Sequence, residues 1–415
     1  MAKIGFCGAS HLGLCYSAAA VKKGNKIFCY DFDHNKIRNY KRFEIDIDEP
    51  KLKNILIENK KQYNFSCKIS DLSKCDFVFF SYDVGTDHKG NGDYRKLREN
   101  LKSLIESLDI KVPLIILSQV PPGFTRLFSS KKHNIFYQVE TLIFGRAIDR
   151  ALKPERFIIG CSSTDKELFS KYKKFLKSFN CPVLIMKYES AELSKIAINC
   201  YLAADVTLTN TLAEISKVIG ANWDEILPTL KLDKRIGKNA YLNPGLGLSG
   251  GNIERDLTTL NNIGEKKDAN TEFIKTIIKH SKYSKKWLLK TVSIFLKNKN
   301  SINITVLGLA YKGNTNAIKN SPSIEFLKKM KKYKVKVYDP VVKNIGLKNT
   351  IEYQSEYEAL EGADILVIAT SWDVFKRLNI RIIKSKMRGN VIIDPLKVLN
   401  KEIVEKFKFK YYCLG

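Results

Sequence analysis

The stretch KIGFCGASHLGLCYSAAAVKKGNKIFCYD, Lys3 to Asp31, decides the fold. Residues 3–8 are a short apolar run of strand length. Gly8-Ala9-Ser10-His11-Leu12-Gly13 leads into a helix predicted from about Leu14 to Lys23. A second strand, Lys26–Tyr30, then stops at Asp31. Strand, glycine turn, helix, strand and acid follow one another in the order that opens a doubly wound parallel sheet.

This is the order of a Rossmann unit, in which the helix start faces a pyrophosphate and the acid bonds ribose hydroxyls. Ser10 takes the place of the middle glycine, so the fingerprint is imperfect. An acid at Asp31 favours NAD over its phosphorylated form. The candidate cofactor contacts here are Gly8, Ser10, His11, Leu12, Gly13 and Asp31. For His11 the plainer reading, an exposed histidine beside a turn, stays open.

Further strands are predicted at Phe77–Tyr82, Leu114–Ser118, Arg156–Gly160 and Val183–Lys187, with helical patterns between most of them. Ligands bind at the carboxyl ends of parallel strands. Gly85 and Thr86, after the first of these strands, and Gln119, after the second, therefore join the cofactor candidates. A long helix is expected from about Ser190 to Ile219. Lys195 and Asn199 are four apart and share one of its faces, a polar island on a mostly apolar element. A surface lysine with its stem laid along the helix is the bland alternative.

Asn243 to Asp256 (NPGLGLSGGNIERD) is a glycine-rich loop whose N–H groups suit an anionic or sugar ligand. An ordinary surface turn has the same composition. A helical stretch follows from about Asn270 to Leu296. A second α/β unit starts at Ser301, with strands at Asn303–Leu307, Lys334–Tyr338, Ile365–Thr370 and Val391–Asp394. Ser321 and Pro322 open a helix as N-cap and first residue. The fold class is α/β, two Rossmann-like doubly wound domains joined by a long central helix and a helical domain. The expected boundaries are 1–185, 186–298 and 299–415.

Length agrees: 415 residues exceed one ordinary core. No run of about 18 apolar residues appears, so no membrane span is expected. The N-terminus lacks the layout of a signal peptide, and a cytoplasmic location is expected. Nine scattered cysteines without a CxxC pair argue against a disulfide framework or a zinc site, and no metal is expected. Cys7, Cys15, Cys29 and Cys200 read as reduced core residues. The net charge of +28 is spread over lysine-bearing helix faces, so no nucleic-acid partner is expected. Such a field also attracts a nucleotide diphosphate.

The glycine loop resembles the catalytic loop of the UDP-glucose/GDP-mannose dehydrogenase family, Asn-Pro-Gly-x-Gly-x-Gly-Gly-Ser-Cys-x-x-Lys-Asp. It matches at Asn243, Pro244, Gly245, Gly247, Gly250 and Asp256, and it has Asn252 where the family's nucleophilic cysteine stands. Lys195 and Asn199 resemble the family's Lys-x-x-x-Asn. Ser118–Gly123 resembles Ser-Thr-Val-Pro-x-Gly, with Gln119 at the threonine. Tyr137–Gly145 resembles Pro-Glu-Phe-x-x-Glu-Gly, with Glu140 at the first glutamate and Phe144 at the second. Gly308–Lys312, Ser321-Pro322, Tyr338-Asp339-Pro340 and Thr370–Asp373 resemble further family segments, and Lys319 replaces a frequent arginine.

The resemblance implies NAD as cofactor, a nucleotide-sugar substrate with UDP favoured, and a homodimer built on the long helix. It implies catalytic roles for Lys195, Asn199, Asp256, Glu140 and, by position, Asn252. The lysine handles the proton of the reacting alcohol, and burial near positive charge would lower its pKa towards that task. The resemblance also implies a cofactor contact at Lys319. It implies sugar-nucleotide contacts at Tyr241, Asn243, Gly245, Gly247, Gly250, Gly251 and Lys312, and at Arg235 from a neighbouring subunit.

The family oxidises a primary alcohol to an acid in two hydride transfers, the second through a thiohemiacetal on the cysteine. An asparagine amide cannot act as that nucleophile, because its lone pair is delocalised. The expectation is a two-electron oxidation giving an aldehyde or keto sugar. The alternatives are a conventional four-electron UDP-glucose 6-dehydrogenase, an epimerase that returns the hydride, and a non-catalytic binding paralogue.

Overall fold

The computed structural model describes residues 1–87, 90–129, 133–296, 302–343 and 345–415. The expected domain start at 299 and the unit start at Ser301 lie outside the described residues. The chain divides into two compact units, Met1–Ile198 and Asn199–Gly415.

Among the described residues the first unit holds eight strands: β1 Lys3–Cys7, β2 Lys26–Tyr30, β3 Tyr63–Ser66, β4 Phe77–Phe80, β5 Leu114–Ile116, β6 Ile135–Gln138, β7 Phe157–Cys161 and β8 Val183–Lys187. They lie in the order β3-β2-β1-β4-β5-β6-β7-β8. All neighbours are parallel except β6 and β7. The middle strands β4 and β5 are buried at every position, because helices cover both faces of a parallel sheet. The first helix, His11–Lys22, starts three residues earlier than expected, with Ser10 as N-cap. Its Ala18-Ala19-Ala20 run is buried. Gly13 permits the close approach, since a Cβ there would lie 2.1 Å from the Gly8 carbonyl oxygen.

The second unit carries a six-stranded sheet: β9 Ile304–Leu307, β10 Val335–Tyr338, β11 Thr350–Glu352, β12 Ile365–Ile368, β13 Val391–Ile393 and β14 Lys410–Tyr412. Its order is β11-β10-β9-β12-β13-β14, parallel throughout. The two units use the same device after the first strand. The Gly8 N–H donates to Tyr30 O at 2.8 Å, and the Gly308 N–H donates to Tyr338 O at 2.8 Å. Both glycines hold left-handed φ, +107° and +97°, which favours glycine there. In the second unit Asp339 anchors the turn. Its Oδ2 accepts the N–H groups of Leu309 (2.7 Å) and Ala310 (3.0 Å) and Trp372 Nε1–H (3.1 Å). Its Oδ1 accepts the N–H groups of Val341 and Val342.

The long helix runs Tyr188–Val218 and contains the division between the units. Helices Trp223–Leu232, Asn252–Lys266, Glu272–Lys285 and Trp287–Leu296 follow. The single helical stretch expected over Asn270–Leu296 is thus two helices. They part at Lys286, whose N–H bonds Tyr283 O in a tighter three-residue turn. Beyond its first turns the long helix leaves Tyr201, Leu208, Leu212 and Ile215 exposed, with Ile219 just past its end. Among the described residues no helix is long and apolar enough to cross a membrane.

Candidate active site

The cofactor turn of the first unit sits at the carboxyl ends of β1 and β2. Ser10, at the middle-glycine position, has a defined task. Its Oγ donates to Ser81 O at 2.7 Å and accepts the Gly13 N–H at 3.3 Å, which caps the helix. No acid lies in the first turn of that helix. Its His11 N–H already donates to a carboxylate oxygen of Asp83 at 3.1 Å, so the position serves an anion. With the close approach at Gly13, these features fit a dinucleotide. Asp31 is buried, and its carboxylate is engaged by the Ala9 N–H (3.0 Å), the Asp33 N–H (3.2 Å) and Lys36 Nζ (3.4 Å). It therefore fastens the turn as well as ending β2.

His11 corrects the exposed reading. Its Nε2 lies 2.9 Å from Glu49 Oε2, and its ring lies 4.5 Å from that of Phe144. Glu49 also accepts the Gly145 and Ala147 N–H groups at 2.9 and 2.8 Å. Burial acts to raise the Glu49 carboxyl, but these bonds hold it below the usual range. The sequence carried no signal for Glu49, a lone acid in a stretch without periodicity. Gly85 and Thr86 follow β4, and Thr86 forms an isolated bridge with Gly92. Gln119 is buried after β5.

Lys195 is no surface lysine. It is buried, and its Nζ lies 2.9 Å from Glu140 Oε1. Glu140 is likewise more than a polar strand end: it is buried just past β6, and Oε2 accepts the Leu142 N–H at 2.9 Å. The neighbour expected for Lys195 was positive, whereas the neighbour present is a carboxylate. A buried charge is tolerated when paired in this way. The same helix carries Glu192, fully buried and not among the residues expected at the site. Burial pushes its carboxyl up to about 7, against the lowering effect of the bonds it accepts from Thr125 and Gly123. Its place three residues before Lys195 was the available signal.

In the second unit Asn199 and Asp256 meet. Asn199 Nδ2 donates to Asp256 Oδ2 at 2.5 Å, and both residues are buried. Arg255 Nε lies 3.5 Å from Asp256 Oδ1. The glycine stretch ends as a loop at Gly251, earlier than its composition implied. Asn252 is the exposed first residue of the helix Asn252–Lys266, and Asp256 lies inside that helix. The loop is wired in place, unlike an ordinary surface turn. The Gly245 N–H donates to Asn210 Oδ1 (2.8 Å), the Leu248 N–H to Ser281 Oγ (2.9 Å) and the Gly250 N–H to Lys319 O (3.0 Å). Gly247 has no room for a side chain, since a Cβ would lie 2.6 Å from Ser281 O. Gly250 faces the Tyr311 ring, and Lys312 Nζ sits 5.6 Å from the centre of that ring.

The remaining candidates are peripheral within their unit. Tyr241 and Asn243 are exposed. Arg235 is exposed and bonded to Asp233. Lys319, expected at the cofactor, belongs to the second unit and holds Gly250 through its carbonyl. All nine cysteines are free thiols. Cys7, Cys15 and Cys29 are buried, while Cys200 is only half-buried. Burial raises the pKa of every one.

A glycine turn built for a dinucleotide, two parallel-sheet nucleotide folds and a buried lysine–carboxylate pair are parts of a dinucleotide-dependent dehydrogenase. The chain belongs to the UDP-glucose/GDP-mannose dehydrogenase family: its NAD binding domain matches residues 2–179, its central domain 189–282 and its UDP binding domain 305–401. A UDP-glucose 6-dehydrogenase of Rickettsia typhi is 28% identical over 431 residues, with 99% of each chain covered. Another, of Rickettsia conorii, is 29% identical over 434 residues, again with 99% of each covered. A UDP-glucose dehydrogenase structure from Pyrobaculum islandicum shares the fold at TM-score 0.86 and 22% identity, over 100% of this chain and 97% of that one. A UDP-D-ManNAc dehydrogenase structure from Pyrococcus horikoshii does so at TM-score 0.85 and 23% identity, over 100% and 99%.

Proposed function

We propose that this chain oxidises the sugar of a UDP-sugar with NAD and stops after one two-electron step, releasing an aldehyde or keto sugar. The observation that carries the reading is Asn252, which opens its helix where the family's nucleophile stands. None of the nine cysteines lies in the loop Asn243–Gly251 or in the helix Asn252–Lys266.

Bound NAD supplies the hydride acceptor. Lys195, held by Glu140, stands beside the reacting alcohol and orders the water that carries the proton away. Asn199, oriented by Asp256, bonds the sugar oxygen. Glu140, Lys195, Asn199 and Asp256 are thus assigned to the oxidation. The wired loop Asn243–Gly251, with Tyr241 and Lys312, is assigned to the sugar nucleotide, and Lys319 to the cofactor. Arg235 is assigned to a partner's substrate. The exposed stripe Tyr201, Leu208, Leu212, Ile215 and Ile219 supports a homodimer through the long helix.

The test is NADH formed per sugar consumed across a panel of UDP-sugars, with the product trapped by a carbonyl reagent. One NADH with a trapped carbonyl is expected, and Asn252→Cys is expected to raise the yield towards two. Two NADH and an acid from the unaltered chain would sink the proposal. That outcome is the conventional four-electron reading, which the full-length similarity to UDP-glucose 6-dehydrogenases favours.

A further inference from the structure

The motif Ala191–Asn199 carries a second buried charge besides Lys195. Glu192 Oε2 accepts the Gly123 N–H at 2.6 Å, and Oε1 accepts the Thr125 N–H at 2.8 Å. Gly123 closes the turn Ser118–Pro122, which bears the buried Gln119, and holds a φ of +90°. A carboxylate that bridges two backbone donors fixes both the place and the orientation of the segment it holds. Glu192 and Lys195 are three residues apart, so one turn of the long helix presents both. That turn therefore grips the segment after β5 through Glu192 and the segment after β6 through the Lys195–Glu140 pair.

We propose that Glu192 is a positioning residue, which sets the Gln119 turn against Lys195 and thereby fixes the geometry in which hydride leaves the sugar. The inference rests on the reading of Lys195 as part of the reacting site. The contacts Glu192 makes are with Gly123 and Thr125, so they do not depend on which side chain stands at 119. The charged and titratable groups around Glu192 are Glu189 and Tyr188 on the same helix and Arg126 from the helix Phe124–Phe128. Arg126 is committed to both oxygens of Glu189, at 2.8 and 2.9 Å. Glu192 therefore depends on the donors that Gly123 and Thr125 present to it.

The test pairs Glu192→Gln and Glu192→Asp in the full chain. Gln keeps the shape but turns an NH2 towards one donor, and Asp keeps the charge but is too short to span both. In each, amide exchange at Gly123 and Thr125 is expected to quicken at least about tenfold. The kcat is expected to fall by about tenfold with KM for NAD nearly unchanged. The pH profile of kcat is expected to lose its step near 7 in the Gln variant only. Unchanged exchange with normal kcat, while Lys195→Met abolishes turnover, overturns the clamp and leaves the reacting site standing. Faster exchange alongside full turnover in Lys195→Met overturns the reading of the site. If Gln does not fold, the exchange and kcat of the Asp variant decide.

Discussion

Replacing Lys195 with methionine would leave Glu140 as a buried carboxylate without its cation. The two side chains approach to 2.9 Å, and each is only 10% exposed, so solvent screens the pair little. Removing one partner of such a pair costs about 3–5 kcal/mol, because the remaining charge stays desolvated. Removing both with shape-conserving groups costs much less. The expected result is a loss of about 3 kcal/mol in Lys195→Met, with Lys195→Met/Glu140→Gln returning to within about 1.5 kcal/mol of the parent. The chain's three tryptophans, Trp223, Trp287 and Trp372, all lie in the second unit, so their emission does not report the first. The assay is therefore hydrogen exchange at β6 and the first turns of the long helix. A loss of that size there is an acceleration on the order of a hundredfold. An acceleration below about fivefold, or a double variant worse than the single, would refute the charge-pair reasoning.

Gly13→Ala drives a Cβ to 2.1 Å from Gly8 O, so NAD affinity by calorimetry should fall at least about tenfold, and an unchanged affinity would dismiss the tight helix–turn approach. Asp339→Ala strands five donors in the second unit and should cost about 3 kcal/mol or more, read as an earlier urea transition in tryptophan emission. Glu192 stands at about 7 in the folded chain against an ordinary value of 4.5, so the folded state holds its proton more tightly. That stabilisation is complete below about pH 4.5 and is lost as pH rises through 7. The stability difference between parent and Glu192→Gln should therefore shift by about 3 kcal/mol across that window, and a flat difference would contradict the assignment.

What the sequence discloses follows from how locally each feature is determined. Lys3–Asp31 is legible because period, glycine spacing and the acid lie within one unit. The edge strands β3, β11 and β14 escaped notice because three or four residues with partly exposed faces give no continuous apolar run. Lys195 reads from its residues alone more readily as a surface lysine, since its long stem can lie along the helix. Its partner Glu140 lies far back in the sequence, just past β6, so no local pattern joins the two. The loop's end is hard to see in the mostly polar Asn252–Asp256, although Gly250-Gly251 marks the helix start. The wiring of that loop to Asn210, Ser281 and Lys319 is tertiary and has no local trace.

The chain's nine thiols have one practical consequence. Each is raised by its surroundings, so each is a sluggish nucleophile at neutral pH. Position 252 is exposed in the first turn of a helix, where a thiol ionises more readily. A cysteine placed there would react with an alkylating dye ahead of the rest, and a single attached fluorophore would report occupancy of the loop in real time. Cys67, Cys181 and Cys200 are the partly exposed native thiols, and labelling of the parent chain gives the background to subtract.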